Sequence, residues 1–265
     1  MLKLYNGDTS VCAAKVRFAL AEKGLDWTGQ LLDLSVGDSH TPDYLKLNPN
    51  GVVPTLVHDN SVIIESTIIN EYVDDAFADL PLRPQDATAR ARMRLWTKQL
   101  DDSIHRAVGI VTFCIAYRFL RLDKPREEIE RMIAGYVTEE KREHHRDILF
   151  NGLSSVRLPP ALQRFQRLLA DMDAVLRDDP WLAGGSLSLA DIGLAPYIER
   201  LDLLHLAFMW DALPGVADWY SRIRQRPAYQ EAIVAWNDAA PAEMKLMDEK
   251  GRDSIPAVRE LLATL

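Results

Sequence analysis

The pattern of hydrophobic residues along the chain changes close to residue 80. Before it, short apolar runs alternate with amphipathic segments, which is typical of strands and helices in turn. We predict a strand over Leu2–Tyr5, a helix over Val11–Lys23 and a strand around Gln30–Leu34. The stretch "PTLVHDNSVII" predicts two strands joined at Asp59-Asn60, and "STIINEYVDDAF" predicts a helix after them. This order indicates a small mixed sheet with helices packed on it.

The remainder of the chain has helical spacing almost throughout. "DLPLRPQDA" holds two prolines and no periodicity, so it predicts a linker. An amphipathic stripe of unusual length then runs from Ala87 to about Leu120. Further helices are predicted over Arg126–Tyr136, Pro160–Arg177, Leu189–Leu206, Val216–Gln225 and Ala228–Trp236. The sequence therefore predicts an α/β domain over 1–79, a linker over 80–87 and an all-α domain over 88–265.

Composition narrows the class of protein. A chain of 265 residues with 48% hydrophobic and 26% charged residues is ordinary for a globular protein, and its net charge of −8 argues against binding nucleic acid. Cys12 and Cys114 are too few for a disulfide framework or a zinc site, so no metal is expected. The first residues do not resemble a signal peptide, and no apolar run approaches the roughly 20 residues of a membrane span. We expect a cytoplasmic protein that does not bind membranes.

Ser10 and Cys12 lie where the first helix begins. By i, i+4 spacing Cys12 shares a helix face with Val16 and Ala19, so it is expected to be buried against the sheet and inert. Ser10 has two possible roles. It can be an ordinary N-cap, or its hydroxyl can donate a hydrogen bond to a bound thiolate and lower the pKa of that thiol.

Two later stretches offer binding groups for a peptide-like ligand. If the Val53-Pro54 bond is cis, the backbone of Val53 can pair with an extended ligand. Glu65 and Ser66 lie at a strand-to-helix junction, where a helix N-terminus can accept a carboxylate and Glu65 can hold an ammonium group. Taken singly, each of these residues also has a structural explanation.

Three stretches together, "SVCAAKVRFALAEKG", "NPNGVVPTLVHDNSVIIEST" and "SLSLADI", resemble the cytosolic glutathione transferase superfamily. The first is close to the zeta-class serine motif, and the resemblance runs from Leu2 to about Trp236. It implies a thioredoxin-like N-terminal domain, an all-α C-terminal domain, glutathione as co-substrate and a homodimer. In this family the aspartate at position 191 belongs to a folding motif and is structural.

The resemblance also assigns roles to residues. Ser10 would activate the glutathione thiol, with Cys12 as the other group that could meet the sulfur. Val53 would pair with the cysteinyl backbone before a cis Pro54. Glu65 and Ser66 would hold the γ-glutamyl end. His40 lies one position from a histidine that some classes use for the glycine carboxylate.

The helical part has a narrower resemblance. "ARMRLWTKQLDDSI" and the charged insertion "EEKREHHRDILFNGL" are similar to the bacterial β-etherase and fungal etherase-like branch, which cleaves β-aryl ethers with glutathione. A mostly apolar pocket for a hydrophobic electrophile is expected near the Ser10 loop, along the long helix. Its candidate residues are Val108, Thr112, Cys114 and Tyr117. The tail Pro241–Leu265 is expected to form a lid or an extra packed helix.

The predicted function is that of a glutathione transferase, an enzyme of detoxification type that directs the glutathione thiolate at a hydrophobic electrophile. Cleavage of a β-aryl ether is one form of this reaction. A maleylacetoacetate-type isomerase is the alternative enzyme, favoured by the Ser-x-Cys spacing. A non-catalytic protein that uses the same fold to bind a ligand or partner is the alternative from another class.

Overall fold

The computed structural model describes residues 1–34, 36–136 and 138–265. These residues group into two compact units that do not follow the order of the sequence. The first comprises Met1–Asp101, Val175–Pro196 and Ala217–Pro241, and the second comprises Asp102–Ala174, Tyr197–Val216 and Ala242–Leu265. Each unit combines three separate segments, so the units do not test limits drawn along the chain. The domain limits 1–79, 80–87 and 88–265 stay a prediction.

A four-stranded mixed sheet is the framework of the first unit. Its strands are β1 (Leu2–Asn6), β2 (Thr28–Leu31), β3 (Thr55–His58) and β4 (Ser61–Ile64). The spatial order is β2-β1-β3-β4, with β1 parallel to β2 and antiparallel to β3, and β3 antiparallel to β4. The turn at Asp59-Asn60 joins the two strands of the predicted hairpin. The mixed sheet expected from the sequence is confirmed.

Helices account for most of the remaining chain. The α-helices are α1 (Val11–Glu22), α2 (Pro42–Leu47), α3 (Ser66–Ala76), α4 (Ala87–Gln99), α5 (His105–Ile115), α6 (Arg126–Ala134), α7 (Glu139–Phe150), α8 (Leu158–Leu176), α9 (Leu189–Leu203), α10 (Pro214–Arg224), α11 (Pro227–Tyr229), α12 (Ala235–Asp238) and α13 (Pro241–Ala263). The predicted fold class, a thioredoxin-like α/β part with an all-α part, is confirmed. No described helix combines the length and the apolarity needed to cross a membrane.

The core of the first unit joins the sheet to α1 and α3. Its fully buried members come from alternate positions of the strands and from one face of each helix, as the two periodicities require. They are Leu2, Leu4, Val16, Leu20, Leu56, Ile69 and Val73. This packing fixes the N-terminal end of α1 relative to the ends of β1 and β3, where the candidate site residues lie.

Several elements differ from the sequence prediction, among them β2, α2 and the long helix. Strand β2 begins at Thr28 and ends at Leu31, and all of its residues are exposed, since β2 lies at an edge of the sheet. The short helix α2 occupies part of a segment expected to be a loop. The long helix does not reach Leu120. A π-helical turn over Leu100–Ile104 joins α4 to α5, and the backbone leaves the helix at Ala116.

The tail forms an extra packed helix, α13. In the second unit it buries Met247, Gly251, Ser254 and Val258. A Cβ atom at Gly251 would lie 2.7 Å from the backbone of Leu204, so only glycine permits this close packing. The sequence predicted either a lid or an extra packed helix for the tail, and α13 is a packed helix along these residues.

Asp191 is the buried anchor at the start of α9. Its carboxylate accepts hydrogen bonds from the backbone amides of Leu182 and Ser188, the Ser188 hydroxyl and the Trp219 indole. Burial raises the pKa of Asp191, and these donors oppose that shift. The carboxylate therefore holds several segments of the first unit together, which is a structural role.

Candidate functional site

Ser10 ends the loop that follows β1 and is the N-cap of α1. Its hydroxyl oxygen accepts a hydrogen bond from the Ala13 amide at 3.2 Å, and its backbone is extended. A hydroxyl that accepts one bond keeps its hydrogen available as a donor. The first turn of α1 carries no acidic side chain, so the positive end of the helix is not neutralised there. Capping and donation to a thiolate are therefore compatible at Ser10.

Cys12 differs from the expectation of full burial. Its side chain is half-buried, whereas Val16 and Ala19 on the same face are completely buried. Val11 and Ala13, its neighbours in the first turn of α1, are buried, so the partial exposure is specific to the position of Cys12. The prediction that Cys12 is buried like its neighbours was wrong.

Arg17 fixes the loop that leads to Ser10. Its guanidinium, only 2% exposed, donates to the Asn6 side chain and to the carbonyls of Gly7 and Asp8, each at 3.0 Å. Its Nε donates to the Ala232 carbonyl at 2.9 Å. The guanidinium also lies over the Trp236 ring, 4.2 Å from the centroid.

The pKa of Arg17 is strongly lowered by this environment. Burial lowers the pKa of Arg17 to about 9, and Asp8 opposes the shift. The sequence contained a signal for this residue, since a basic side chain on an otherwise apolar helix face must find buried acceptors. In the sequence, Arg17 was considered only as one residue of the serine motif, so its buried contacts were not predicted.

The Val53-Pro54 peptide bond is cis, as the resemblance implies. Neither the amide nor the carbonyl of Val53 has a backbone partner among the described residues. The preceding carbonyl, of Val52, accepts from the Tyr44 hydroxyl at 2.6 Å and from the Asn48 side chain at 2.8 Å. Tyr44 and Asn48 thus hold this loop through the Val52 carbonyl. The backbone amide and carbonyl of Val53 remain available to a ligand.

Tyr44 and Asn48 were not predicted as part of the site. Both also contact the Thr55 hydroxyl, at 2.9 Å and 3.2 Å. Tyr44 belongs to α2, the helix that the sequence pattern did not indicate, and Asn48 follows directly after it. A buried phenol next to a Pro-containing loop is too common a feature to have identified this support in advance.

Glu65 and Ser66 lie at the junction of β4 and α3. Glu65 has a φ of 66°, an uncommon value for a residue with a side chain, and Ser66 is buried as the first residue of α3. No side chain caps this helix, so its first amides are open to an anion. The Asn50 side chain donates to Glu65 Oε1 at 3.3 Å. This bond connects the junction to the loop before Pro54.

His40 is exposed and lies against the same loop. Its Nδ1 is 3.1 Å from the Ser39 hydroxyl. A Cβ atom at Gly51 would lie 3.2 Å from His40 Nε2, and Gly51 has a φ of 63°. Gly7 lies close to Val53 as well, since a Cβ atom there would be 3.5 Å from the Val53 side chain. The first unit thus gathers the loops that carry the predicted glutathione contacts.

The residues predicted for the electrophile pocket are mostly inaccessible. Val108, Thr112 and Cys114 are buried and Tyr117 is half-buried. Burial raises the pKa of Cys114 to about 12, so its thiol is not ionised near neutral pH. Cys114 borders a cavity of about 230 Å³, but the other three residues do not line it. Their role in binding an electrophile stays a prediction.

Metal binding has no candidate centre in the described ranges. No group of three or more His, Cys, Asp or Glu side chains lies close enough together to hold an ion. The arrangement around Ser10, Val53 and Ser66 instead offers a hydroxyl donor, a free backbone pair and an open helix N-terminus. These are groups suited to an extended anionic peptide.

Comparison with known proteins gives matches along most of the chain. The family model for the glutathione S-transferase N-terminal domain matches residues 9–76, and that for the C-terminal domain matches residues 126–222. The protein LigF of Sphingobium sp. strain SYK-6 is 30% identical over 236 residues, covering 87% of this chain and 92% of LigF. Glutathione S-transferase TCHQD of Arabidopsis thaliana is 25% identical, with 88% and 89% covered.

Solved structures of a β-etherase and of a glutathione transferase are similar to this chain as well. The crystal structure of the β-etherase LigF is similar with a TM-score of 0.76 at 30% identity, covering 87% of this chain and 98% of that one. The theta-class glutathione S-transferase of Xanthomonas axonopodis pv. citri, with glutathione bound, has a TM-score of 0.64 at 26% identity, covering 88% and 96%.

Proposed function

Because the chain belongs to the glutathione S-transferase family and uses glutathione as its co-substrate, we propose that Ser10 donates a hydrogen bond to the glutathione sulfur and stabilises its thiolate. The observation that carries this proposal is the position of the Ser10 hydroxyl. It caps α1 through its oxygen and keeps its hydrogen for a ligand at the positive end of that helix.

The rest of the tripeptide has matching groups in the first unit. The free amide and carbonyl of Val53 would pair with the cysteinyl residue in the manner of an added strand. The open N-terminus of α3 at Ser66 would bind the γ-glutamyl carboxylate, and Glu65 would bind its ammonium group. His40, beside Gly51, would contact the glycine carboxylate.

The second substrate is proposed to be a hydrophobic electrophile, and specifically a β-aryl ether. The similarity to the β-etherase LigF supports this choice. The thiolate would attack the carbon that bears the aryloxy group, forming a carbon–sulfur bond as the carbon–oxygen bond breaks. The aryloxide would leave and take up a proton from water. The enzyme is further proposed to act as a cytoplasmic homodimer, as is usual in the resembling superfamily.

Titration of bound glutathione tests the role of Ser10. We expect Ser10→Ala to raise the pH at which the bound thiol ionises by about one to two units, because a hydrogen bond to a charged group contributes about 1.5–3 kcal/mol. The thiolate absorbance in the ultraviolet measures this directly. Ser10→Thr retains the hydroxyl and should restore the titration, and Cys12→Ala should leave it unchanged.

The same experiment can reject the proposal. If Ser10→Ala binds glutathione and its thiol ionises at the wild-type pH, Ser10 is only a helix cap. If Cys12→Ala moves the titration instead, Cys12 meets the sulfur. Incubation with a chromogenic aryl ether and mass analysis of the products then tests the reaction, since a glutathione thioether and the free phenol must appear in equal amounts.

An isomerase of the maleylacetoacetate type is a second candidate. The Ser10-x-Cys12 spacing favours it, and glutathione S-transferase Z2 of Arabidopsis thaliana is 29% identical over 233 residues. In that reaction glutathione adds to a double bond and leaves again after rotation, so no thioether accumulates. Turnover of a cis-enedione without net consumption of glutathione would favour this function over ether cleavage.

A further inference from the structure

A cavity of about 780 Å³ lies between α5 and α7 in the second unit. It is large enough for a small organic ligand. None of Val108, Thr112, Cys114 and Tyr117 lines it. Its described lining instead includes Arg106, Phe113, Tyr136, Lys141, His144 and His145.

The lining provides flat aromatic surfaces. The Tyr136 and His145 rings are stacked with centroids 3.9 Å apart and an interplanar angle of 4°. The His144 ring meets His145 edge to face at 5.3 Å. Phe113 contributes a further ring from α5. Such rings favour a ligand that is itself planar and aromatic.

Two positive charges border the same cavity without partners. In the described part of the chain, neither the Arg106 guanidinium nor the Lys141 ammonium forms a hydrogen bond or an ion pair. The other cations of α7 are paired, since Arg142 contacts Glu139 at 3.0 Å and Arg146 contacts Glu130 at 3.2 Å. Glu140 supplies one opposing charge to the lining. The balance of these three formal charges is positive.

His144 adds a polar group without a partner. Its Nδ1 is buried and has no hydrogen-bond partner within the described ranges. A buried polar atom of this kind is costly unless a ligand or water satisfies it. Burial lowers the pKa of His144 and, to about 4, that of His145, so both rings are neutral near pH 7. A neutral imidazole can donate to or accept from a ligand oxygen.

From this combination we propose that the cavity between α5 and α7 binds an aromatic carboxylate. The ring of the ligand would lie against Tyr136, His145 and Phe113, and its carboxylate would face Arg106 and Lys141. This site shares no residue with the proposed glutathione contacts, since every residue that forms it belongs to the second unit.

Three probes of similar size separate the contributions of charge and ring. We expect benzoate to bind the glutathione-free protein with a dissociation constant on the order of 1 mM. Neutral benzamide and non-aromatic cyclohexanecarboxylate should each bind at least about threefold more weakly. Calorimetric titration of the full-length protein measures all three, and added salt should weaken benzoate selectively.

Charge variants locate the binding. Lys141→Gln and Arg106→Gln should each weaken benzoate about threefold to fivefold, the range for an exposed charge pair, and leave benzamide unchanged. Arg142→Gln is the matched control, because it removes a cation of α7 that is already paired. Lys141 is exposed, so its replacement does not disturb packing.

Several results would overturn the proposal. These are equal affinities for benzoate and benzamide, no heat with benzoate up to about 10 mM, or the same loss in Arg142→Gln as in Lys141→Gln. Because these titrations use protein without glutathione, their outcome does not depend on Ser10. A failure here therefore leaves the thiolate proposal intact, and the reverse is also true.

Discussion

The cations of α1 and those around the cavity between α5 and α7 are placed in opposite ways. Lys15 and Arg17 are 1% and 2% exposed, and both have polar partners from other parts of the first unit. Lys23, also buried, contacts Asp74 and the carbonyls of Asp79 and Leu80. Arg106 and Lys141 are exposed, and no side-chain partner of either lies in the described chain.

The difference follows from the free energy of burying a charge. A buried cation is tolerated only when several acceptors surround it, so it fixes the geometry of the backbone that supplies them. An exposed cation without a partner retains its hydration and can exchange it for a ligand anion. Substitutions should therefore change stability in the first region and ligand affinity in the second.

Arg17→Met should have the largest effect. The substitution removes the guanidinium that donates to acceptors on Asn6, Gly7, Asp8 and Ala232. Methionine keeps an apolar side chain of similar length. We expect the free energy of unfolding to fall by about 3 kcal/mol. Denaturant titration measures this change, and glutathione affinity should fall with it because the Ser10 loop loses its support.

Arg142→Met is the counterpart in the second region. This arginine is a partly exposed partner of Glu139, and its loss should cost less than about 1 kcal/mol. If the two substitutions destabilised the protein equally, the distinction between buried and exposed cations would fail.

Two glycines should respond to the same change with opposite signs. Gly51→Ala places a Cβ atom where φ is 63° and His40 Nε2 is 3.2 Å away, and we expect a loss of about 1–2 kcal/mol. Gly109→Ala in α5 meets no atom within 4 Å and should gain about 1 kcal/mol, since alanine favours a helix. Thermal unfolding of both variants is the measurement. A stabilised Gly51→Ala variant would contradict the assigned backbone strain.

Removing one hydroxyl from each region gives a smaller contrast. Tyr44→Phe loses the bonds to Val52 and Thr55, and we expect a cost of about 1 kcal/mol together with weaker glutathione binding. Tyr136→Phe keeps the ring stacked on His145 and should be within about 0.5 kcal/mol of wild type. Equal effects in the two variants would show that the Tyr44 bonds do not support the loop.

The last contrast concerns how stability depends on pH, and its expected effect is confined to acidic pH. Burial, aided by His144 and Lys141, lowers the pKa of His145 from 6.5 to about 4. Between these values the unfolded chain binds a proton that the folded chain does not, so stability should fall as the pH falls through this window. His145→Gln should remove that part of the decline, measured by urea titration across the range.

Asp74 provides the control from the first region. Burial acts to raise the pKa of Asp74, but hydrogen bonds from Leu82, Arg83 and Lys23 outweigh it and hold the pKa below 3.8. Its contribution to stability is present above that pH and is lost only as the pH falls further. Asp74→Asn should therefore leave the decline above about pH 4 unchanged; loss of that decline in Asp74→Asn would contradict the assignment to His145.

Local pattern was sufficient for most of the fold. The strands around Asp59-Asn60 follow from short apolar runs on either side of a turn signal. The helices α3 and α8 follow from the 3.6-residue period, because each buries one face. The pattern could not end the long helix at Ala116, since apolar spacing continues beyond it and no proline or glycine marks the break. Nor did it indicate α2, where few apolar positions repeat.

The sequence by itself determined the chemistry available to this protein, namely a serine at a helix start, a proline before a strand and the motifs of a glutathione transferase. Only the tertiary structure decided which side chains support that chemistry. Arg17, Tyr44 and Asn48 bind the loops from positions four to eleven residues away along the chain, in contacts that no motif specified. Arg106 and Lys141 have no partner among the described residues. The physical reason is that a motif specifies neighbours along the chain, whereas burial and pairing depend on residues that meet only after folding.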